Sequence, residues 1–244
     1  MSIWAVLSGA MPQEMRMDVL SNNLANVNTT GFKKDRLIFE GLTPIRRETL
    51  PAESSKETVP TFAVMTQILS DFEPGAIRDT ANPLNLAIEG EGFFAIQTPD
   101  GVRYTRDGNF TQDVQGQMVT RQGFPLLGDG GAIILPAGTV TIGREGKISV
   151  GTTEVASLAT FDVSDERFLK KAGSSLYELS GGATATPSTD VRVLQGALEQ
   201  SNVNPVQEMV TMISVMRSYE AAQRAILTST EIAAKMANEV ARIA

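Results

Sequence analysis

The side chains that could carry out catalysis in this sequence are carboxylates, lysines, tyrosines and hydroxyls, because its 244 residues include no histidine and no cysteine. This composition excludes Ser-His-Asp and Cys-His catalysis, zinc sites built on Cys or His, and disulfide bonds. A glycosidase needs two carboxyl groups placed beside the bond that it cleaves. The 28 acidic residues are scattered and no such pair stands out, so we predict no catalytic residues and no enzyme activity.

Three glycine-containing segments could be mistaken for ligand loops. Gly90-Glu91-Gly92 precedes a predicted strand, whereas a phosphate loop leads into a helix. Asp107-Gly108-Asn109 and Gly128-Asp129-Gly130-Gly131 lack the alternating oxygen ligands of a calcium loop. We therefore predict surface turns, with no cofactor and no metal. The basic pairs Lys33-Lys34 and Arg46-Arg47 are predicted to be exposed to solvent.

The chain is acidic, with 21 Lys and Arg against 28 Asp and Glu and a net charge of −7. It lacks the basic surface expected of a protein that binds nucleic acid. No apolar run approaches the roughly 18 residues that suggest a membrane span. The N-terminus lacks the basic start and continuous apolar core of a secretory signal. We expect neither nucleic acid nor a small-molecule substrate among its partners.

The middle of the chain has the composition of a β domain. Of the 21 glycines, 18 lie between Gly75 and Gly196, and all ten phenylalanines lie between Phe32 and Phe168. An Asp100-Gly101 turn between two short apolar runs predicts a hairpin. Short strands separated by glycine turns indicate a sandwich or barrel-like all-β domain. Residues 181–190 are predicted to be a loop.

The two ends of the chain have helical patterns instead. From Pro205 to Ala244 there is no glycine and no further proline, which predicts a helix about 60 Å long. Residues 2–28 are also predicted to be helical, with Pro12 interrupting the pattern and Gly31 ending it. One set of side chains in the C-terminal helix, here called the seam, alternates spacings of three and four residues, the period of a coiled coil. The seam is Met212, Val215, Tyr219, Ala222, Ile226, Ser229, Ala233, Met236, Val240 and Ile243.

These patterns predict an α+β, multi-domain chain in which the terminal helices pair as a coiled coil and an all-β domain is inserted between them. Residues 1–30 and 205–244 would form the paired-helix inner domain, and residues 76–190 the β-rich outer domain. Residues 31–75 and 191–204 would be extended connectors. Because an N-terminal helix of this length cannot cover the longer C-terminal one, we expect copies of the chain to assemble through the seam positions from Met212 to Val240 together with Leu24.

Four segments of the sequence resemble the bacterial flagellar axial proteins, which include the rod, hook and hook-associated proteins. The first, here called the signature, runs from Ser21 to Phe32 and contains Asn22, Asn23, Leu24, Ala25, Asn26, Gly31 and Phe32. The others are residues 86–94, 104–110 and 196–206, in the same order as in the family. The signature asparagines can each donate and accept hydrogen bonds near a helix end. Gly31 suits the left-handed residue that often closes a helix.

The resemblance implies a structural protein of the flagellar basal body. Family members pair their terminal helices into an inner coiled-coil layer around an export channel and turn a β-rich domain outward. They leave the cell through the flagellar type III export apparatus with the N-terminus intact, so we expect export without a cleaved signal peptide. The expected partners are copies of the chain, other flagellar rod proteins and that export apparatus.

Within the family, residues 122–136 and the short length look most like the proximal rod proteins. The expected function is therefore that of a proximal rod subunit, polymerised through its terminal helices into a hollow tube that transmits torque. The distal rod proteins are the alternative. Two weaker alternatives are a secreted enzyme that opens the cell wall and a secreted adhesin.

Overall fold

The computed structural model describes residues 3–41, 64–188 and 191–243. Its described residues are mostly β structure, with one helix near each end of the chain, in agreement with the predicted α+β class. Arg46-Arg47 and residues 42–63 of the predicted connector lie outside the described residues. The same holds for the side chains at five positions of the seam, namely Ser229, Ala233, Met236, Val240 and Ile243.

The helices are α1, Ile3–Ala25, and α2, Pro205–Ile243. Proline stands at the first position of α2, where its missing N–H costs no helical hydrogen bond. The predicted interruption at Pro12 is wrong, because α1 continues through this residue. Proline removes one backbone hydrogen bond there but keeps a helical φ. Among the described residues, no helix is long and apolar enough to cross a membrane.

Short strands fill the described chain between the helices. They are β1 Asp35–Gly41, β2 Val64–Ser70, β3 Ile77–Asp79, β4 Leu86–Glu89, β5 Phe93–Thr98, β6 Gly101–Thr105, β7 Phe110–Gln112, β8 Met118–Thr120, β9 Leu127–Gly128, β10 Gly131–Ala132, β11 Val140–Ile142, β12 Lys147–Val150, β13 Thr153–Ser157, β14 Thr160–Val163, β15 Leu169–Lys171, β16 Leu176–Leu179, β17 Ala185–Pro187, β18 Arg192–Gln195 and β19 Ala197–Glu199. A 3₁₀ turn, Glu166–Phe168, lies between β14 and β15.

The largest sheet has six antiparallel strands in the order β15-β16-β6-β5-β14-β17. Its strand β5 is buried on both faces. Successive side chains of a strand point in opposite directions, so alternate residues of β5 join different core clusters. Phe94 and Ile96 join a large core cluster with Leu86 and Phe110, whereas Phe93 joins a second, more aromatic cluster. The hairpin of β5 and β6 reverses at Asp100-Gly101, as the sequence predicts.

One segment predicted to be a loop and one predicted to be an extended connector contribute strands. Residues 181–190, predicted to be a loop, contain β17, which pairs with β14. Residues 191–204, predicted to be a connector, contain β18 and β19, which pair with β4 and β3. The loop prediction for residues 181–190 is wrong, because a short polar run becomes a strand when a distant strand edge offers its backbone groups. The extended segment 191–204 differs from the prediction only in that its backbone pairs with β4 and β3.

The chain divides into two compact units. Unit 1 comprises Met1–Asn22, Asp35–Leu69 and Val206–Ala244, and unit 2 comprises Asn23–Lys34 and Ser70–Pro205. Unit 1 therefore holds most of α1 and nearly all of α2. Unit 2 holds the six-stranded sheet and both core clusters, together with most of the signature.

Candidate assembly surface

Between residues 209 and 228, the seam is the least accessible face of α2. Val215 is 6 % exposed, and the other seam residues with described side chains, which are Met212, Tyr219, Ala222 and Ile226, are half-buried. Every other residue from 209 to 228 is exposed. The three-and-four spacing therefore marks the side of the helix that the chain itself covers. The contribution of these positions to contacts between copies stays a prediction.

A second face of α2 carries apolar side chains in the open. Val210 is 63 % exposed and Ile213 is 53 % exposed. At about 100° per residue, both lie on the side of the helix away from Val215. They line a shallow groove, here called the α2 groove, which consists of Val210, Ile213, Ser214, Arg217, Ser218 and Ala221. Val210 and Ile213 stand out in the sequence as apolar residues off the seam, where we expect surface to remain for other copies, but their spacing does not indicate the groove.

Unit 2 contains a buried cluster of charges, here called the ion cluster. The Lys33 Nζ lies 2.5 Å from the Glu199 Oε1 and donates to the Glu73 carbonyl at 2.8 Å. The Arg106 Nη1 lies 3.4 Å from the Glu199 Oε2, and its Nη2 donates to the Gly90 carbonyl at 2.9 Å. Lys33, Arg106 and Glu199 are at most 3 % exposed. The prediction that Lys33 faces solvent is wrong, because its partner comes from a segment 166 residues away.

Burial governs the electrostatics of the ion cluster. It lowers the pKa of Lys33, and the nearby Glu199 carboxylate opposes that change. Burial likewise lowers the pKa of Arg106, again opposed by Glu199. One carboxylate thus offsets two cations, with the Glu166 carboxylate also acting on both through space. The ion cluster is enclosed and offers no exposed group for chemistry.

The signature lies against the 104–110 segment at close range. Gly31 has φ +64°, and a Cβ there would lie 2.3 Å from the Asp107 backbone nitrogen. The Thr30 hydroxyl donates to the Asp107 Oδ1 at 2.6 Å. The Gly31 N–H donates to the Glu199 carbonyl at 2.9 Å. Gly31 therefore has the left-handed conformation that the sequence predicts. The close approach of the Asp107 backbone is a second reason why this position requires glycine.

The remaining signature residues differ in their exposure to solvent. Asn23 is buried, Leu24 and Asn26 are half-buried, and Asn22 and Ala25 are exposed. Phe32 is 5 % exposed, with the Lys171 amine 4.0 Å from its ring centroid. Leu24 belongs to unit 2 and the seam to unit 1, so no single cluster gathers all the predicted interface residues. Among the described residues, no acidic cluster could hold a metal ion.

Three segments of the chain match protein families. Residues 6–33 match the family described as "Flagella basal body rod protein". Residues 87–150 match "Flagellar hook protein FlgE/F/G D1 domain", and residues 194–239 match "Flagellar basal body rod FlgEFG protein C-terminal". The three matches lie on α1 with the signature, on the β structure of unit 2, and on β18 through most of α2.

Whole-chain relatives agree with these matches. The flagellar basal-body rod protein FlgF of Caulobacter vibrioides is 34% identical over 246 residues, covering 99% of this chain and 98% of the relative. The chain belongs to the flagellar basal-body rod protein family. The rod protein FlgG of Borreliella burgdorferi is 37% identical, covering 93% of this chain and 94% of the relative. FlgG of Bacillus subtilis is 34% identical, covering 97% and 98%.

The ion cluster connects the segments by which this rod protein resembles its family. Lys33 follows the signature directly, and Arg106 and Glu199 lie in the segments 104–110 and 196–206. Gly90, from the segment 86–94, accepts a hydrogen bond from Arg106. Four segments far apart in the sequence of the rod protein therefore meet around one carboxylate.

Proposed function

We propose that this chain is a structural subunit of the flagellar basal-body rod, of the proximal, FlgF-like type. The observation that carries the proposal is the match to FlgF of Caulobacter vibrioides over 99% of the chain. That alignment occupies 246 positions, close to the 244 residues of this chain. The alignment with FlgG of Bacillus subtilis occupies 261 positions. The alignment with FlgG therefore needs more insertions and deletions than the alignment with FlgF. This difference favours the proximal type.

The distal, FlgG-like type is the second candidate, because the identity with FlgG of Borreliella burgdorferi is 37%. Expression of the chain in two hosts, one lacking its own FlgF and one lacking its own FlgG, distinguishes the two. We expect swimming to return in the first host. Restoration in the second host alone would assign the chain to the distal rod.

The subunit would polymerise through its terminal helices into a hollow axial tube that transmits torque. Residues 1–30 and 205–244 would form the inner layer and residues 76–190 the outer domain, with the two connecting segments between them. The long α2 with a covered seam and an open apolar face supports this arrangement. Electron microscopy of purified basal bodies should place the subunit on the axis with its helices innermost.

Export would proceed through the flagellar type III apparatus without cleavage, with other rod proteins as neighbours. Mass spectrometry of the protein recovered from basal bodies should give the mass of the uncleaved chain. We also propose that the chain acts by assembly and not by catalysis. The purified protein should leave cell-wall peptidoglycan intact, and release of soluble fragments would favour the enzyme alternative.

A further inference from the structure

Three of the points at which the chain crosses between unit 1 and unit 2 adjoin one set of polar contacts. The crossings are at residues 22–23, 34–35, 69–70 and 205–206. Lys34, Asp71 and Asn202 all belong to unit 2, and each lies within three residues of one of the last three crossings. These three residues contact one another, although 168 positions separate the first from the last.

The side chain of Asn202 is at the centre of these contacts. Its Oδ1 accepts a hydrogen bond from the Lys34 backbone N–H at 2.8 Å. Its Nδ2 donates to the Asp71 carbonyl at 2.8 Å and to the Glu73 carbonyl at 3.1 Å. An amide side chain has two N–H donors, and both have partners here. Lys34, Asp71, Glu73 and Asn202 are here called the clasp.

Other contacts join the same segments. The Asp71 N–H donates to the Lys34 carbonyl at 2.9 Å, and the Lys34 Nζ lies 3.3 Å from the Asp71 Oδ2. In the ion cluster, Lys33 pairs with Glu199 and donates to the Glu73 carbonyl. The segments that precede or follow the three crossings are therefore tied together twice, by the clasp and by the ion cluster.

The position of the clasp gives it a mechanical consequence. A load on unit 1 reaches unit 2 along the chain at the crossings, because there the two units are covalently continuous. Segments that were not tied together would be pulled from unit 2 one at a time. Forced unfolding is governed by the rate at which contacts rupture. Hydrogen bonds at the crossings therefore contribute more to mechanical strength than equal hydrogen bonds elsewhere in unit 2.

We propose that the clasp is the element by which unit 2 withstands torque. It holds three segments together where they continue into unit 1, so that a load on one segment is shared by all three. The inference rests on the proposed function, because it concerns the load that a rod subunit carries. Asn202 is a positioning residue in this role, since it acts on the backbone of the other two segments.

Unit 2 offers a matched control in Gln195. Its Nε2 donates to the Pro83 and Val140 carbonyls at 3.0 and 2.9 Å, and its Oε1 accepts from the Ile142 N–H at 3.1 Å. Like Asn202, it is half-buried and makes three hydrogen bonds. Its partners are not next to a crossing. Asn202→Ala and Gln195→Ala should therefore lower the urea midpoint by similar amounts but differ under load.

Single-molecule pulling on the full chain tests this difference. The chain has no native cysteine, so handles can be attached through Ile38→Cys and Val210→Cys, both at exposed sites of unit 1. A pull between them loads the Lys34 segment against the Asn202 segment. At constant force, Asn202→Ala should shorten the lifetime of folded unit 2 about tenfold or more. Gln195→Ala should keep it within about threefold of the wild type. Equal lifetimes in the two variants would overturn the proposal.

A milder variant covers the case in which Asn202→Ala does not fold. Lys34→Gln removes the ion pair with Asp71, and its side chain is 28 % exposed, so folding should be little affected. The lifetime of unit 2 under the same force should still fall. An unchanged lifetime in Lys34→Gln would then overturn the proposal.

Swimming under increasing viscosity tests the clasp in the assembled rod. In a host that lacks its own copy of the protein, Asn202→Ala and Gln195→Ala should both build rods. Asn202→Ala should stop swimming at a lower viscosity than Gln195→Ala, which should follow the wild type. The same limiting viscosity for both variants would overturn the role of the clasp. Failure of the wild-type chain to build rods would overturn the proposed function instead.

Discussion

Unit 2 buries a cluster of three charged side chains, whereas the described helices of unit 1 expose apolar side chains. Lys33 and Arg106 are buried around Glu199, and the strands of unit 2 enclose two hydrophobic clusters. On α2, Val206, Val210 and Leu227 are each more than 60 % exposed. A buried, partnered ion cluster specifies one arrangement of one chain, while exposed apolar side chains gain stability only when another molecule covers them.

The difference assigns separate tasks to the two units. Unit 2 has the features of a domain that is complete in a single copy, since the oppositely charged groups of its ion cluster lie together within it. Unit 1 has the features of a surface that is completed by assembly. Substitutions in unit 2 should therefore change the free energy of unfolding of the isolated chain, and substitutions on the helices of unit 1 should change polymerisation.

The largest expected effect is that of Glu199→Gln. Removing the carboxylate leaves Lys33 and Arg106 buried without their counter-charge, which we expect to cost about 3–5 kcal/mol of unfolding free energy. Urea unfolding of the purified chain measures the loss. Glu145→Gln is the matched control, because its carboxylate is 82 % exposed, and it should stay near the wild-type value. Equal stability of the two variants would show that the ion cluster does not hold unit 2 together.

The second largest expected effect on stability is that of Gly31→Ala. The left-handed φ costs a non-glycine residue about 1–2 kcal/mol, and the new Cβ would also meet the Asp107 backbone nitrogen. Gly123→Ala is the control, because its φ of +86° carries similar strain but nothing lies within 4 Å of the added Cβ. Gly31→Ala should lower the urea midpoint more than Gly123→Ala does. Equal midpoints would mean that the close approach at the signature relaxes freely.

On the helices, Ala222→Phe should affect assembly more than folding. Ala222 is a small, half-buried side chain of the seam, so we expect a phenylalanine there to overpack its surroundings at a cost of about 1–3 kcal/mol at each site. That cost recurs in every subunit, so rods should be lost while unit 2 still resists proteolysis. Ala225→Phe, three residues on and exposed, should assemble. Ile226→Asp should behave like Ala222→Phe, and normal rods in either seam variant would show that the seam does not contribute to assembly.

The elements that the sequence predicts well are those that depend on neighbours in the sequence. Helix α2 follows from a long stretch without glycine and with one initial proline, and the β5–β6 hairpin follows from Asp100-Gly101. The misassigned features depend on distant partners. Lys33 is an ordinary basic residue until Glu199 is placed beside it, and β17 is a strand only because β14 lies next to it. Single-sequence patterns contain no information on such pairings.

The smallest expected effect is a pH dependence at Asp107. Burial raises the pKa of this carboxyl group above its usual value of 3.8, despite the hydrogen bond from Thr30. The folded state therefore holds the proton more tightly than the unfolded state does. The resulting stabilisation is fully present below the unfolded pKa and is lost as the pH rises through the folded pKa.

Asp107→Asn isolates this contribution, because the amide Oδ1 can still accept from the Thr30 hydroxyl and the Asn109 N–H, both of which bond to Oδ1 in the wild type. The wild-type unfolding free energy minus that of the variant should decrease as the pH rises above 3.8. Asp165→Asn provides the opposite sign, since hydrogen bonds from Arg167 lower the pKa of Asp165. There the same difference should increase as the pH rises toward 3.8. Urea titrations at a series of pH values measure both, and parallel slopes would show that burial does not raise the pKa of Asp107.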